Sequence, residues 1–242
     1  MGLIYGKNPV LEAISSGTTI NKIYAQTSNK EIDSVIKEAL KRKIIVVNTD
    51  KQKLDKMIDG KNSQGIIASI TDFKYSEVSE IIEYAKSKNE LPFIVILDKI
   101  EDPHNLGAII RSCECMGVHG VIIQKRNACQ ITDTVEKVAV GACSYVKVAR
   151  VTNITESIKE LKKNGLWIYG LDMNGESEVY NTKLEGAIGI VVGNEGSGIS
   201  RLVKENCDAL MKIPMTGKIN SLNASVSVAI TIYEVVRQKN IK

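Results

Sequence analysis

No segment of this sequence is expected to carry the chain to or through a membrane. No apolar run approaches the roughly 18 to 20 residues needed to cross a bilayer. The segment Met1-Gly2-Leu3-Ile4-Tyr5-Gly6-Lys7 has no basic stretch ahead of an apolar core, so no secretory signal is expected. Gly6 stands where a myristoylation motif needs Ser or Thr. A metal framework is missing too. The five cysteines, at positions 113, 115, 129, 143 and 207, are odd in number and form no Cys-x-x-Cys pair, and the only histidines are His104 and His119. No metal site is expected from that set, and reduced thiols in a cytoplasmic protein are. Internal repeats and low-complexity tracts are absent.

What is present fits a globular protein of one large or two ordinary domains: 242 residues, 43% of them apolar. The net charge of +4 is unevenly placed. Residues 1–75 hold 12 Lys and Arg against 8 Asp and Glu, and the remainder is balanced at 20 of each. A basic module beside a neutral one suits a polyanion-binding appendage on a catalytic domain, although an ordinary solvated surface reads the same way.

Residues 1–71 read as a small α/β unit. Asn8 is expected to cap a helix with Pro9 in its first position. Strands are expected at 20–25, 44–47 and 66–70, and helices at 29–42 and 51–57. Residues 72–91 are polar, with helical spacing at Val78, Ile81, Ile82 and Ala85, and read as a semi-rigid linker. From 92 to 242 strands and helices alternate, which predicts a parallel sheet covered by helices. Expected strands are 93–97, 120–123, 146–150, 166–171, 188–193 and 209–213. Expected helices are 105–116, 132–141, 153–164, 199–206 and 221–239.

Three segments of this second part carry chemistry. The run Phe93-Ile94-Val95-Ile96-Leu97 ends in Asp98 and a polar loop, then Asn105, a candidate helix cap, and Arg111 six residues later. The carboxyl end of a parallel strand is where α/β proteins hold ligands. By itself Arg111 reads as a solvated helix residue or a salt-bridge partner, and Lys99, Glu101 and Asp102 as loop charges. The second segment, Gly193-Asn194-Glu195-Gly196-Ser197-Gly198, follows an apolar strand. It is neither Gly-x-G-x-x-Gly nor a phosphate loop, and Glu195 would repel a pyrophosphate. It is either a plain tight turn or a cradle for a cofactor without phosphate, such as the sulfonium S-adenosylmethionine. The third runs from Ile213-Pro214-Met215 through the flexible Gly217-Lys218-Ile219-Asn220 to Ser221-Leu222-Asn223-Ala224-Ser225-Val226-Ser227. There Ser221 is expected to cap a long helix with Leu222, Val226, Val228, Ala229, Ile232, Val235 and Val236 buried, and Ser225 and Ser227 serve close packing.

These three segments, in this order, resemble the three motifs of the SpoU/TrmH class of RNA ribose 2′-O-methyltransferases in the SPOUT superfamily. The ends of the first unit, Tyr5-Gly6-Lys7-Asn8-Pro9-Val10 and Ser63-Gln64-Gly65-Ile66, resemble the RNA-binding domain, similar to ribosomal protein L30e, that many such enzymes carry. The resemblance implies a catalytic domain with a C-terminal trefoil knot, S-adenosylmethionine held largely by backbone at Gly193, Ile213, Leu222 and Leu171, a homodimer with its site near the subunit interface, and RNA contacts from Tyr5, Lys7, Asn8 and Arg111. It implies Arg111 as the central catalytic residue, with Asn105 and Glu195 positioning it or the ribose and Ser221 and Asn223 completing the pocket. His104 is not part of the motif. Because arginine has a pKa above about 12, Arg111 suits phosphate binding and stabilisation of developing alkoxide better than proton abstraction. The whole layout most resembles enzymes that methylate a guanosine of 23S ribosomal RNA. Transfer RNA as substrate, an antibiotic-resistance-type rRNA methyltransferase with another target nucleotide, and an unrelated nucleotide-binding enzyme are the alternatives.

Overall fold

In the computed structural model, residues 2–71 and 73–240 are described, and they form two compact units, Met1–Lys74 and Tyr75–Lys242. The domain limits expected at residues 1, 72 and 242 lie outside the described residues.

The first unit runs β1 (Gly2–Tyr5), α1 (Lys7–Ser15), β2 (Ile20–Ala25), a 3-10 turn at Lys30–Ile32, α2 (Asp33–Lys41), β3 (Val46–Asn48), α3 (Lys51–Met57) and β4 (Ile66–Ile70). The sheet order is β1-β4-β2-β3, with β4 antiparallel to both neighbours and β2 parallel to β3. Alternation along β4 divides the core. Ile66 and Ala68 pack with Val10, Ile14 and Val35 of α1 and α2, whereas Ile67 packs with Leu54 and Ile58 on and after α3. The entry to α1 differs from expectation. Asn8 lies inside the helix and is exposed. The chain turns instead at Gly6, whose φ of +93° suits a residue without Cβ, and Gln64 Oε1 accepts from Lys7 N–H at 3.0 Å. The β-branched run 44–47 yields a strand only from Val46, and β1 was not foreseen.

The second unit runs α4 (Val78–Ser87), β5 (Phe93–Asp98), α5 (Pro103–Cys115), β6 (Gly120–Gln124), α6 (Asp133–Ala139), a 3-10 turn at Ala142–Ser144, β7 (Lys147–Val151), α7 (Ile154–Lys163), β8 (Trp167–Leu171), β9 (Ser177–Glu178), a 3-10 turn at Val179–Asn181, β10 (Ile188–Gly193), α8 (Arg201–Asn206), β11 (Ala209–Lys212) and α9 (Ala224–Asn240). The seven strands are ordered β7-β6-β5-β10-β8-β11-β9, and every paired neighbour is parallel. Insertion of β10 between β5 and β8 makes the sheet grow in opposite directions from that pair. This creates a switch point at which the loops leaving β5 and β10 diverge.

Residues 75–91, expected as a linker, belong to this unit. Val78, Ile81 and Ile82 of α4 are buried with Ile94, Ile122 and Ile154. Glu80 accepts from the N–H of Glu77 at 2.7 Å, and Ser76 N–H donates to Val148 O at 2.8 Å. Gly120 permits this packing, since a Cβ there would stand 2.6 Å from Ile81. The polar residues that made the segment look like a linker are its solvated face. Two helix starts also differ. Asp102 caps α5 by accepting from His104 N–H at 3.0 Å, so Asn105 falls within the first turn. Asn223, not Ser221, precedes α9, where its Oδ1 accepts from Ser225 N–H at 2.9 Å. Among the described residues no helix is long and apolar enough to cross a membrane.

Candidate active site

The site grows from the carboxyl ends of β5 and β10, where Asp98 and Gly193 are register partners. Asp98 is fully buried. Its Oδ2 accepts from Ser200 N–H at 2.7 Å, tying the end of β5 to the far side of the glycine loop, and its Oδ1 has no partner among the described residues. Asn194 shapes the loop itself: its carbonyl accepts from Gly198 N–H and its Oδ1 from Gly196 N–H, both at 2.8 Å, and its Nδ2 donates to Lys99 O at 3.2 Å. The turn closes so tightly that a Cβ on Gly193 would lie 2.1 Å from the Gly198 carbonyl carbon. No other residue fits there.

Because Asn105 sits in the first turn of α5, its buried carboxamide reaches the two other motif segments. Its Nδ2 donates to Glu195 Oε1 at 2.5 Å and its Oδ1 accepts from Asn223 Nδ2 at 2.8 Å. Glu195 Oε1 also accepts from Ala224 N–H at 3.3 Å. Asn105 is thus joined in one hydrogen-bonded chain to Glu195 and Asn223, which lie 90 and 118 positions away in sequence. A carboxylate that accepts from both a side-chain amide and a backbone amide keeps one orientation.

Beside this chain opens a cavity of about 740 Å³. Gly193, Ile213, Leu222 and Leu171 all line it, as do Glu195 and Ser221. Asn105 and Asn223 stand behind Glu195 rather than in the wall. Arg111 is not among the lining residues. It is exposed on α5, about 1.7 turns beyond Asn105. Tyr5, Lys7 and Asn8 lie in the first unit. There Tyr5 packs against the Leu54 cluster, Lys7 is half-buried and Asn8 is exposed. The approach from Pro214 to Ser221 is exposed throughout. Val226, expected in the core, is exposed as well. With Ile230 and Tyr233 it forms an apolar stripe along α9, a helix that packs beside α5.

The cavity contains an ion pair that sequence reasoning missed. Asp172, just past β8, pairs with Lys204 of α8, and its Oδ1 accepts from Asn174 N–H at 3.0 Å. Burial pushes the Asp172 carboxyl up, but the hydrogen bonds from Lys204 and Asn174 outweigh it and hold the group below the usual carboxylate range. The only signal in the sequence was position, an acid immediately after a strand's carboxyl end. With Glu178, Glu195 and Lys212 the walls carry three carboxylates against two lysines. Such walls disfavour a pyrophosphate and tolerate a cationic ligand. The volume and the mixed walls, part apolar side chain, part glycine-loop backbone and part polar side chain, suit a nucleoside-sized molecule. Among the described residues no group of His, Cys, Asp and Glu could hold a metal ion.

Comparison with known proteins agrees with this geometry. Residues 92–233 match the SpoU rRNA Methylase family. The chain belongs to that family. Residues 3–76 match the RNA 2′-O ribose methyltransferase substrate-binding domain. A Bacillus subtilis (strain 168) protein provisionally named a TrmH family tRNA/rRNA methyltransferase is 40% identical over 239 residues, covering 98% of this chain and 96% of its own. A Staphylococcus haemolyticus protein with the same provisional name is 42% identical over 240 residues, with the same coverage. Among solved structures, the SpoU methyltransferase AviRb of Streptomyces viridochromogenes, determined in complex with S-adenosylmethionine, superposes with a TM-score of 0.64 at 20% identity, covering 99% of this chain and 91% of its own. A TrmH/SpoU tRNA modifying enzyme of A. aeolicus gives 0.57 at 28% identity, covering 68% and 85%. This SpoU family member therefore shares its fold over nearly the full chain with AviRb.

Proposed function

We propose that this chain methylates a ribose 2′-hydroxyl of RNA with S-adenosylmethionine as donor, and that its target is a guanosine of 23S ribosomal RNA. The observation that carries the reading is the Asn105–Glu195–Asn223 chain at the rim of the phosphate-averse cavity. It joins three segments far apart in sequence at the switch point of the sheet. Gly193, Ile213, Leu222 and Leu171 hold the cofactor, chiefly through backbone that the glycine loop lets approach closely. Bound there, it supplies an activated methyl group and its own leaving group.

The protein's part is to orient the hydroxyl and handle its charge. Glu195, fixed by Asn105 and by Ala224 N–H, orients the ribose or the arginine that meets it. Ser221 closes the pocket, and Asn223 completes it from behind the wall through its hydrogen bond to Asn105. Arg111 contacts the RNA and stabilises negative charge developing on the 2′-oxygen. Its exposure away from the cavity wall favours a homodimer that seats the exposed Val226, Ile230 and Tyr233 stripe and brings the arginine to a site at the interface. A trefoil knot through the loop 193–198 and the segment from Ile213 through α9 belongs to the same reading. The first unit, residues 1–71 by the sequence expectation, is an L30e-like RNA-binding domain that uses Tyr5, Lys7 and Asn8, and the protein works in the cytoplasm with its thiols reduced.

Ribosomal rather than transfer RNA is favoured by the match of residues 92–233 to the SpoU rRNA Methylase family. The tRNA modifying enzyme aligns with only 68% of this chain. The test is transfer of labelled methyl to total ribosomal and transfer RNA from cells lacking the protein, run beside Arg111→Ala. Label in 23S RNA as 2′-O-methylguanosine, reduced at least about 100-fold in the variant, is expected for a charge-stabilising group. Label in transfer RNA overturns the substrate, and full activity in the variant overturns the role of Arg111.

A further inference from the structure

The established features leave one charged element of the site edge unexplained, the turn 125–129 after β6. We propose that Lys125 and Arg126 on this turn form a preformed subsite for a backbone phosphate of the nucleic acid flanking the reacting ribose. That the polyanion is RNA rests on the reading above.

The sheet fixes where the turn lies. All seven strands are parallel, so β6 ends on the same edge as β5 and β10, with Ile122 opposite Ile96 and Leu97 opposite Val192. Neighbouring strands are about 4.8 Å apart, which sets the end of β6 about 10 Å from that of β10. The turn is a built structure, not a loose tip. Gln130 is buried, and its Nε2 donates to Gln124 O at 2.9 Å and to Ala128 O at 3.1 Å, a chord across the turn. Cys129 N–H donates to Ile100 O at 2.8 Å and Lys125 N–H to Val151 O at 2.7 Å, anchoring both ends. Gln124 Oε1 accepts from Lys99 N–H at 3.1 Å, and Lys99 O accepts from Asn194 Nδ2. Side-chain amides therefore link the turn, through the end of β5, to the glycine loop that carries Glu195.

This scaffold holds two adjacent cations that the fold does not use. Arg126 is exposed and Lys125 half-buried, and neither joins an ion pair among the described residues. Elsewhere in this unit lysines pair with acids, as Lys204 with the buried Asp172 and Lys162 with the half-buried Asp208. Placing Asn127 at a φ of +52° and leaving Gln130 Oε1 buried without a partner among the described residues both cost stability. An anion clamped between a guanidinium and an ammonium relieves the repulsion between them and makes use of the rigid turn.

The experiment is a salt titration of binding to a labelled single-stranded RNA oligonucleotide, comparing wild type with Lys125→Ala/Arg126→Ala. The expected result is a slope of log affinity against log salt reduced by about 1 to 1.5, with weakening that does not depend on RNA sequence. Gln130→Leu keeps both charges but frees the turn, and is expected to weaken binding by a smaller factor. Affinity for S-adenosylmethionine, measured separately by calorimetry, is expected to stay at the wild-type value in both. An unchanged slope in the double variant overturns the subsite. If the slope falls but the wild type methylates no RNA, the subsite stands and the transferase reading fails. If the wild type methylates RNA and the slope is unchanged, the reverse holds.

Discussion

The two ends of the parallel sheet put similar materials to different use. At the carboxyl ends of β5 and β10 the chain goes on to β6 on one side of the pair and to β11 on the other, and polar side chains from three segments meet beside a cavity of about 740 Å³. At the amino ends of the same strands the chain returns tightly. His119 is buried there, its Nδ1 accepting from Phe93 N–H at 3.0 Å and its Nε2 lying 3.1 Å from Glu90 Oε2, and the cavity beside Glu90 and Lys239 is about 270 Å³. Both ends contain a buried ring or amide held by a carboxylate. Only at the switch point do the loops diverge enough to leave room for a ligand. A hydrogen-bonded polar cluster is therefore not a site until the topology opens space beside it.

The largest expected effect breaks the cavity end alone. In Gly193→Ala the new methyl would lie 2.1 Å from the Gly198 carbonyl carbon, so the loop must move. Cofactor affinity is expected to fall below detection in calorimetry, with a stability loss of about 1 to 3 kcal/mol by denaturant melting. Wild-type cofactor affinity in this variant would show that the loop is no cradle.

Next comes Asn105→Ala, which frees Glu195 without touching the cavity wall. Methyl transfer is expected to slow by roughly 100-fold, while cofactor affinity changes little, as for a group that orients reacting partners. Equal losses in both would place Asn105 in cofactor binding instead.

The smallest effect belongs to the amino end. Burial lowers the His119 pKa, with Glu90 opposing, so the folded protein holds this imidazole neutral. The unfolded chain takes up the proton first, near pH 6.5, so stability is full above that value and declines on acidification until the folded group also protonates. Comparing melting temperatures at pH 7.5 and 5.5, wild type should lose more than His119→Gln, whose amide oxygen can still accept from Phe93 N–H. Methyl transfer in that variant should remain, which would separate the two ends. An identical pH dependence would remove His119 from the account.

Strands buried on both faces were readable as continuous apolar runs, which is why Phe93–Leu97 and Ile188–Val192 fall within the observed β5 and β10. The family resemblance likewise pointed to Gly193, Ile213, Leu222 and Leu171, which all line one cavity. Helix starts were less readable, because Asp102 and Asn105, or Ser221 and Asn223, are all acceptable caps by type. Only the geometry of the preceding loop selects between them. The linker reading of 72–91 failed because a charged face conceals an apolar one that packs on a distant sheet. Asp172 and Lys204 could not be paired from a sequence in which 32 residues separate them.

Local chemistry, then, is what the sequence determined by itself: which runs must be buried, where the chain can turn through glycine, and which residue types approach a ligand without phosphate. Those follow from nearest-neighbour sterics and from transfer of apolar groups out of water, and neither requires knowledge of the partners. The tertiary structure decided adjacency. Inserting β10 between β5 and β8 brings Asn105, Glu195 and Asn223 into contact, opens the cavity beside them and leaves Arg111 outside. Strand order of this kind is set by the packing of the whole unit, which no local segment encodes.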